Sequence, residues 1–379
     1  MPSPSPSPIH VEAEGIVYRN PRPHVRAVHA WHPRLVSAKD GRIIATFDLG
    51  EAVESLDYRT FISRSDDGGQ SWTGPVRLFD DDLLPRSDRR STHVARPSRL
   101  NHGDLVAVIG RYFRDDPNEG IINRANLGLV DMELFVARSR DDGRTWQAPT
   151  RIEPPVVGPG FEVAHPILEL SDGRWLAPLA TWRGWDSRPP FHDRAVAFVS
   201  SDQGRTWPEH LDVMDASAED IIYFEQGLAE LSDGRVLAVA WALDGSKGTT
   251  RSIDWAVSGG GPFTHPKRTS LIGETAKLSA LPDGTALCVY RGIDPQGLCA
   301  CVLRVEGDDL QATEPAVLWQ GERTQMVGAA SAGEELGNLK LGSPHMIALD
   351  QDRVLVAFWC YTEGVFHIRW VRARIARSG

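Results

Sequence analysis

The sequence predicts an all-β protein, a six-bladed β-propeller of four-stranded antiparallel blades. Three observations predict it. An apolar run, a turn and a second apolar run recur six times; a phrase of the form Ser-x-Asp-x-Gly-x-Thr/Ser-Trp recurs three times; and the units between turns consume the chain. A repeat of this kind outranks local propensity in deciding a fold.

The first repeat reads PRLVSAKDGRIIATF from Pro33, RPSRLNHGDLVAVIG from Arg96, HPILELSDGRWLAPLA from His165, EQGLAELSDGRVLAVAW from Glu225, KLSALPDGTALCVY from Lys277 and HMIALDQDRVLVAFW from His345. Each is a hairpin, because an Asp-Gly or similar turn separates short strands rich in Val, Leu and Ala. Between the turn positions Asp40, His102, Asp172, Asp233, Asp283 and Gln351 the steps are 62, 70, 61, 50 and 68 residues. Units of that size hold four strands each, and a radial ring of such sheets protects their edges. One propeller over residues 16–379 is therefore expected, preceded by a disordered Ser/Pro tail at 1–15, since MPSPSPSPIHVEAEG cannot bury a core.

The second repeat is SDDGGQSW from Ser65, SRDDGRTW from Ser139 and SSDQGRTW from Ser200, with a degraded version in SGGGPF from Ser258. Each follows a strand-like stretch, so it belongs at a turn where Ser and Asp bond backbone amides and Gly supplies a positive φ. Its Trp then buries a large ring between sheets. The phrase is read as a structural staple rather than a chemical group.

Composition narrows the function. The chain of 379 residues carries a net charge of -10 with both signs mixed along it, so no basic stripe exists for a phosphate backbone and nucleic acid is not an expected partner. The N-terminus has no basic and apolar leader, and no apolar run approaches the length of a spanning helix; a cytoplasmic protein without membrane association is the expectation. Cys288, Cys299, Cys301 and Cys360 lack zinc-ribbon spacing and read as buried, reduced thiols.

The three phrases are those of the Asp-box, or BNR repeat, and the chain resembles the sialidase superfamily of six-bladed propellers over most of its length. That superfamily holds sialidases, other glycosidases, uronate-directed lyases and binding proteins, so function rests on the site. For a sialidase the resemblance implies an arginine triad gripping a carboxylate, a tyrosine nucleophile activated by a glutamate, and an aspartate acid/base. The chain departs from this pattern. Trp31 stands at the first arginine position, with Arg34 displaced beyond it; Arg-Pro appears instead at Arg96-Pro97; and Thr275 occupies the tyrosine position. Of the two glutamate candidates, Glu225 is followed after its turn by Trp241 and Glu274 by Arg291, the better match to the family. Asp57 and Glu54 lie where the family places its acid.

In a propeller the innermost strands open at one end of a central funnel, so the residues that begin them converge. The expected gathering is His32, Arg96, His165, Glu225 with Gln226, Glu274 with Lys277, and His345. Arg96 with Lys277 or Arg291 can hold an anionic sugar carboxylate. Two mechanisms then stay open. In one, a carboxylate pair such as Glu274 and Asp57 hydrolyses a glycosidic bond. In the other, arginine neutralises a uronate carboxylate and His32 or His165 removes the neighbouring proton, giving β-elimination. A non-catalytic glycan-binding propeller, with Trp182, Trp185 and Trp241 as aromatic platforms, is the third reading.

The preferred expectation is an exo-acting glycoside hydrolase of a carboxylated sugar, with His32, His165, Glu225, Glu274 and Asp57 as catalytic candidates. Arg96, Lys277, Arg291, His345 and Trp182 are the substrate-binding candidates. No cofactor or metal is expected, a divalent ion on the three histidines being the alternative. The insertions LFDDDLLPRSDRRSTH and YFRDDPNEGIINRANLG, and the stretch Thr181 to Arg194, are expected to shape the pocket.

Overall fold

A computed structural model describes residues 7–376 apart from 124, 189–192, 246–247 and 322–337. Six antiparallel sheets are arranged as blades. The first four run in order: β2(His29–Ser37) to β5(Val76–Arg77), β6(Ser91–Arg99) to β9(Thr150–Ile152), β10(Gly160–Glu162) to β14(Glu209–Met214), and β15(Ile221–Glu230) to β18(Lys267–Arg268). The fifth is β19(Ile272–Ala280) to β23(Ala316–Trp319). The sixth takes β24(Leu341–Ala348), β25(Arg353–Thr362) and β26(Val365–Ile375), and its outer strand is β1(Ile9–Arg19), paired antiparallel with β26. Residues 9–15, expected in the tail, are thus strand; the closing pairing draws them in, while residues 1–6 lie outside the described residues.

The second strand of each blade is the most apolar. In β3 (IIATFDLG, Ile43–Gly50) and β7 (LVAVIGRYF, Leu105–Phe113) every residue is buried. Such strands are covered on both faces by neighbouring blades, so they read as continuous runs rather than alternating ones. Among the described residues, all four cysteines are free and buried, and no helix is long and apolar enough to cross a membrane.

The Ser-x-Asp-x-Gly turns share one bonding pattern. The amide of Gly69 donates to Ser65 Oγ at 2.8 Å, and Asp67 accepts from the amide and hydroxyl of Ser71 at 2.9 and 2.6 Å. Gly143 with Asp141 and Gly204 with Asp202 repeat it. Each turn rests on the preceding blade: a Cβ on Gly69 would stand 3.4 Å from Leu355, and one on Gly143 3.2 Å from Ile62. Arg138 of the second blade donates to the Gln203 carbonyl of the third. Trp207 is buried, whereas Trp72 and Trp146 are half-buried. In SGGGPF the Ser258 hydroxyl donates to the Gly261 carbonyl instead, with no carboxylate involved.

The three aspartates are lowered from an ordinary 3.8 to about 2. The hydroxyls of Ser71 and Thr206 are the main cause at Asp67 and Asp202; at Asp141 burial pulls upward and the Thr145 bonds outweigh it. Because the folded value lies below the unfolded one, their contribution is present above pH 3.8 and lost as pH falls through about 2. Thermal melts across that window should show stability falling in the wild type, and falling less in Asp141→Ala. Parallel pH profiles would rule the turns out as its source.

Candidate functional site

The funnel is shaped by a repeated backbone fault. In four inner strands the pairing register breaks, between Trp31 and Arg34, Phe224 and Gly227, Glu274 and Lys277, and Gly342 and His345. The first extra residue of each bulge has positive φ: His32 at 49°, Glu225 at 47°, Thr275 at 54° and Ser343 at 44°. Bulges re-aim side chains, and non-glycine residues held in left-handed backbone concentrate at functional sites. In the third blade the inner strand is split into β10 and β11(Leu168–Glu169), which opens it at the same level.

A cavity of about 220 Å³ lies at this end of the funnel. Of the expected residues, His32, Arg96, Glu225, Lys277, Arg291 and Trp182 line it. Glu274, His165, His345 and Asp57 do not. Glu274 is fully buried beneath the floor, where Oε2 accepts from Arg291 Nε at 3.1 Å and from Nη2, and Oε1 accepts from Thr250. His165 has both ring nitrogens engaged, Nδ1 with the Pro166 carbonyl at 2.7 Å and Nε2 with the Leu228 amide at 3.5 Å. Burial lowers it to about 3, so it is neutral. His345 Nδ1 accepts from the Leu35 amide at 3.2 Å. Asp57 is exposed and caps its own loop, accepting from the Glu51 amide at 3.1 Å and the Ser55 hydroxyl at 2.5 Å. Gln226 is likewise buried away from it, donating to the Leu179 and Val196 carbonyls; Glu274, His165, His345 and Gln226 thus correct the expected convergence, and Asp57 the acid position taken from the family.

The reason is register. Counting eight residues back from the six turn positions gives His32, Val94, Ala164, Glu225, Thr275 and Ser343; all but Thr275 line the cavity. His165 sits one residue further along, and one step along a strand sends the side chain to the opposite face; His345, two residues further along like Arg96 and Lys277, is instead engaged by the Leu35 amide. Among the described residues no group of three or more His, Cys, Asp or Glu could hold a metal ion. Of the three histidines, His32 lines the cavity and His165 and His345 do not.

Several lining residues were not singled out by the sequence reading. Glu162, from β10, is one, and its Oε2 accepts from the Glu225 amide at 2.9 Å. Burial raises Glu162 to about 7, and the Glu225 charge adds to it. Glu225 Oε2 is buried without a hydrogen-bond partner. Glu54, half-buried in the loop before β4(Arg59–Ser65), is also raised to about 7, chiefly by burial.

Arg34 is buried and donates to the carbonyls of Pro33, at 2.7 Å, and Ala164, while its Nε is buried without a partner. Burial, with Arg96 adding, lowers it to about 9. Lys277 donates to the carbonyls of Glu225 and Gln226 at 2.7 and 3.2 Å, and burial lowers it to about 8.

Asp48 ties one side of the cavity together. Fully buried, it accepts from Arg96 Nη1 at 2.9 Å and Thr60 Oγ1 at 2.5 Å, and its Oδ2 lies 3.2 Å from His32 Nδ1. Burial pushes its carboxyl up, but Arg96, His32 and Thr60 outweigh this and hold it below the usual range. Burial lowers His32 despite Asp48. Tyr58 places its hydroxyl 3.2 Å from the same Nδ1. A lone carboxylate in the otherwise apolar run IIATFDLG was the available signal for Asp48.

The six-bladed ring is that of a divergent sialidase-superfamily protein. The chain belongs to the BNR repeat-like domain family, which it matches over residues 62–326. It is 28% identical over 195 residues to a sialidase from Bacteroides fragilis (strain YCH46), a match covering 47% of this chain and 34% of that protein. It thus covers about a third of that curated relative. A Dyadobacter fermentans DSM 18053 protein of unknown function superposes with a TM-score of 0.73 at 22% identity, covering 97% of this chain and 99% of the other. The NanB sialidase of Streptococcus pneumoniae superposes with a TM-score of 0.64 at 13% identity, covering 96% and 71%.

Proposed function

We propose that the protein is an exo-acting glycoside hydrolase that removes a terminal carboxylated sugar. The observation that carries this reading is the pair Glu162 and Glu225, joined through one backbone bond, one carboxyl raised to about 7 and the other with a buried oxygen lacking a partner. Two neighbouring carboxyls, one of them raised by burial, can divide the work of glycoside cleavage. Glu162, protonated up to about 7, donates to the leaving oxygen. Glu225 stabilises or attacks the oxocarbenium centre, or activates water against it. Arg34, with its unpartnered Nε, and Arg96 are placed to hold the sugar carboxylate.

A specific observation favours β-elimination as a second reading: neutral His32, oriented by buried Asp48 and beside Arg96, is a base next to a carboxylate-binding arginine. The sialidase named among the relatives supports the hydrolytic reading. Incubation with sialyl, uronyl and rhamnosyl-uronate glycosides, following reducing sugar and the absorbance of an unsaturated product, separates the two. Release without a new double bond is expected. A double bond would transfer the role to His32, and silence across the panel would overturn both in favour of a binding module.

A further inference from the structure

The cavity is two-sided. Beside its charged residues stands an apolar wall of Trp182, Phe224, Trp241, Leu243, Leu127 and Ile122, drawn from blades two, three and four. Trp182 and Phe224 have ring centroids 4.7 Å apart, and Phe224 and Trp241 5.5 Å. Phe224 precedes Glu225 directly, so the wall adjoins the carboxylate pair.

Both indole N–H groups on the wall are already used. Trp182 Nε1 donates to the Leu127 carbonyl at 2.5 Å, and Trp241 Nε1 to Thr250 Oγ1 at 3.1 Å. Thr250 in turn donates to buried Glu274. A sugar stacked here would find neither indole N–H free for the hydroxyls at its edge, whereas a flat aromatic ring needs no such partner.

The wall is also built into position. Leu127 keeps φ at 61° and remains 43% exposed, an apolar side chain held in left-handed backbone at the mouth. Gly128 beside it allows the close approach that locks this loop to the third blade: a Cβ there would stand 2.3 Å from the Gly184 carbonyl. Asn123 and Asn126 both donate to the Trp185 carbonyl, at 2.9 and 3.1 Å.

We infer that this wall is a subsite for an aromatic aglycone, so that the substrate is an aryl glycoside rather than an oligosaccharide. The inference rests on the hydrolytic reading. In that reaction the bond between anomeric carbon and phenolic oxygen breaks, the phenolic oxygen takes the proton of Glu162, and water supplies hydroxyl to the anomeric carbon and its other proton to the carboxylate pair. The flat ring of the leaving phenol lies on Trp182 and Phe224 throughout.

Calorimetric titration of the full chain with 4-methylumbelliferone, and separately with lactose, tests the subsite without needing the sugar. One saturable site is expected for the aryl alcohol and none for lactose at equal concentration. Trp182→Ala should weaken the aryl alcohol about tenfold, the cost of one lost aromatic contact. Leu127→Gly, which relaxes the backbone there, should also weaken it. Absence of saturable binding, wild-type affinity in both wall variants, or lactose binding that the wall variants lose would each overturn the subsite. If the aryl alcohol binds but no glycoside is turned over, the hydrolytic reading fails and the subsite stands; turnover without aryl binding is the reverse.

Discussion

Glu162→Gln is expected to lower kcat/KM by about 10³-fold, the usual worth of a positioned proton donor, while melting like the wild type. The amide keeps the shape of the carboxyl, and its oxygen can still accept from the Glu225 amide. What it cannot do is release a proton to the leaving oxygen. The wild-type rate should decline as pH rises through about 7, where Glu162 loses its proton. The variant should lose that limb. An aryl leaving group of low pKa needs little protonation, so the loss should shrink along a series of increasingly acidic phenols. A pH limb that persists in the variant would move the role to Glu54, which burial also raises to about 7.

Glu274→Ala is expected to destabilise the fold by about 3 to 5 kcal/mol, the range for removing one partner of a buried pair. Its carboxylate is fully buried, and the Arg291 side chain it neutralises is 4% exposed. Deleting it leaves a guanidinium at the cavity with, among the described residues, the Leu341 carbonyl at 3.3 Å as its further acceptor. Chemical denaturation of Glu274→Ala, Arg291→Met and the double variant measures the coupling, and the double variant should recover part of the loss. Additive single effects would show that the pair does not act as a unit. The sequence reading placed Glu274 among the catalytic candidates; its burial and its bonds to Arg291 and Thr250 assign it instead to holding Arg291 at the cavity.

The turn phrases and the six hairpins are local features, set by residues a few positions apart, and for that reason the ring, its blade count and the staple role of the Ser-x-Asp-x-Gly turns could be read from the chain alone. The end of the funnel was also legible: position in the repeat pointed to His32, Arg96, Glu225 and Lys277, while Arg291 came from the family resemblance and Trp182 from its aromatic ring.

Which neighbouring residue faces the cavity was decided by the tertiary structure. A bulge changes the inward residue by one, so Glu225 enters the cavity while His165, one residue out of step, turns beneath it. Partnership across blades was equally invisible. Glu162 and Glu225 are 63 positions apart, and Arg96 and Asp48 are 48 apart. Burial raises the Glu162 carboxyl, whereas Arg96, His32 and Thr60 hold that of Asp48 below the usual range. The chain supplies the charges, and the closed ring supplies the low-dielectric setting that gives each a different task.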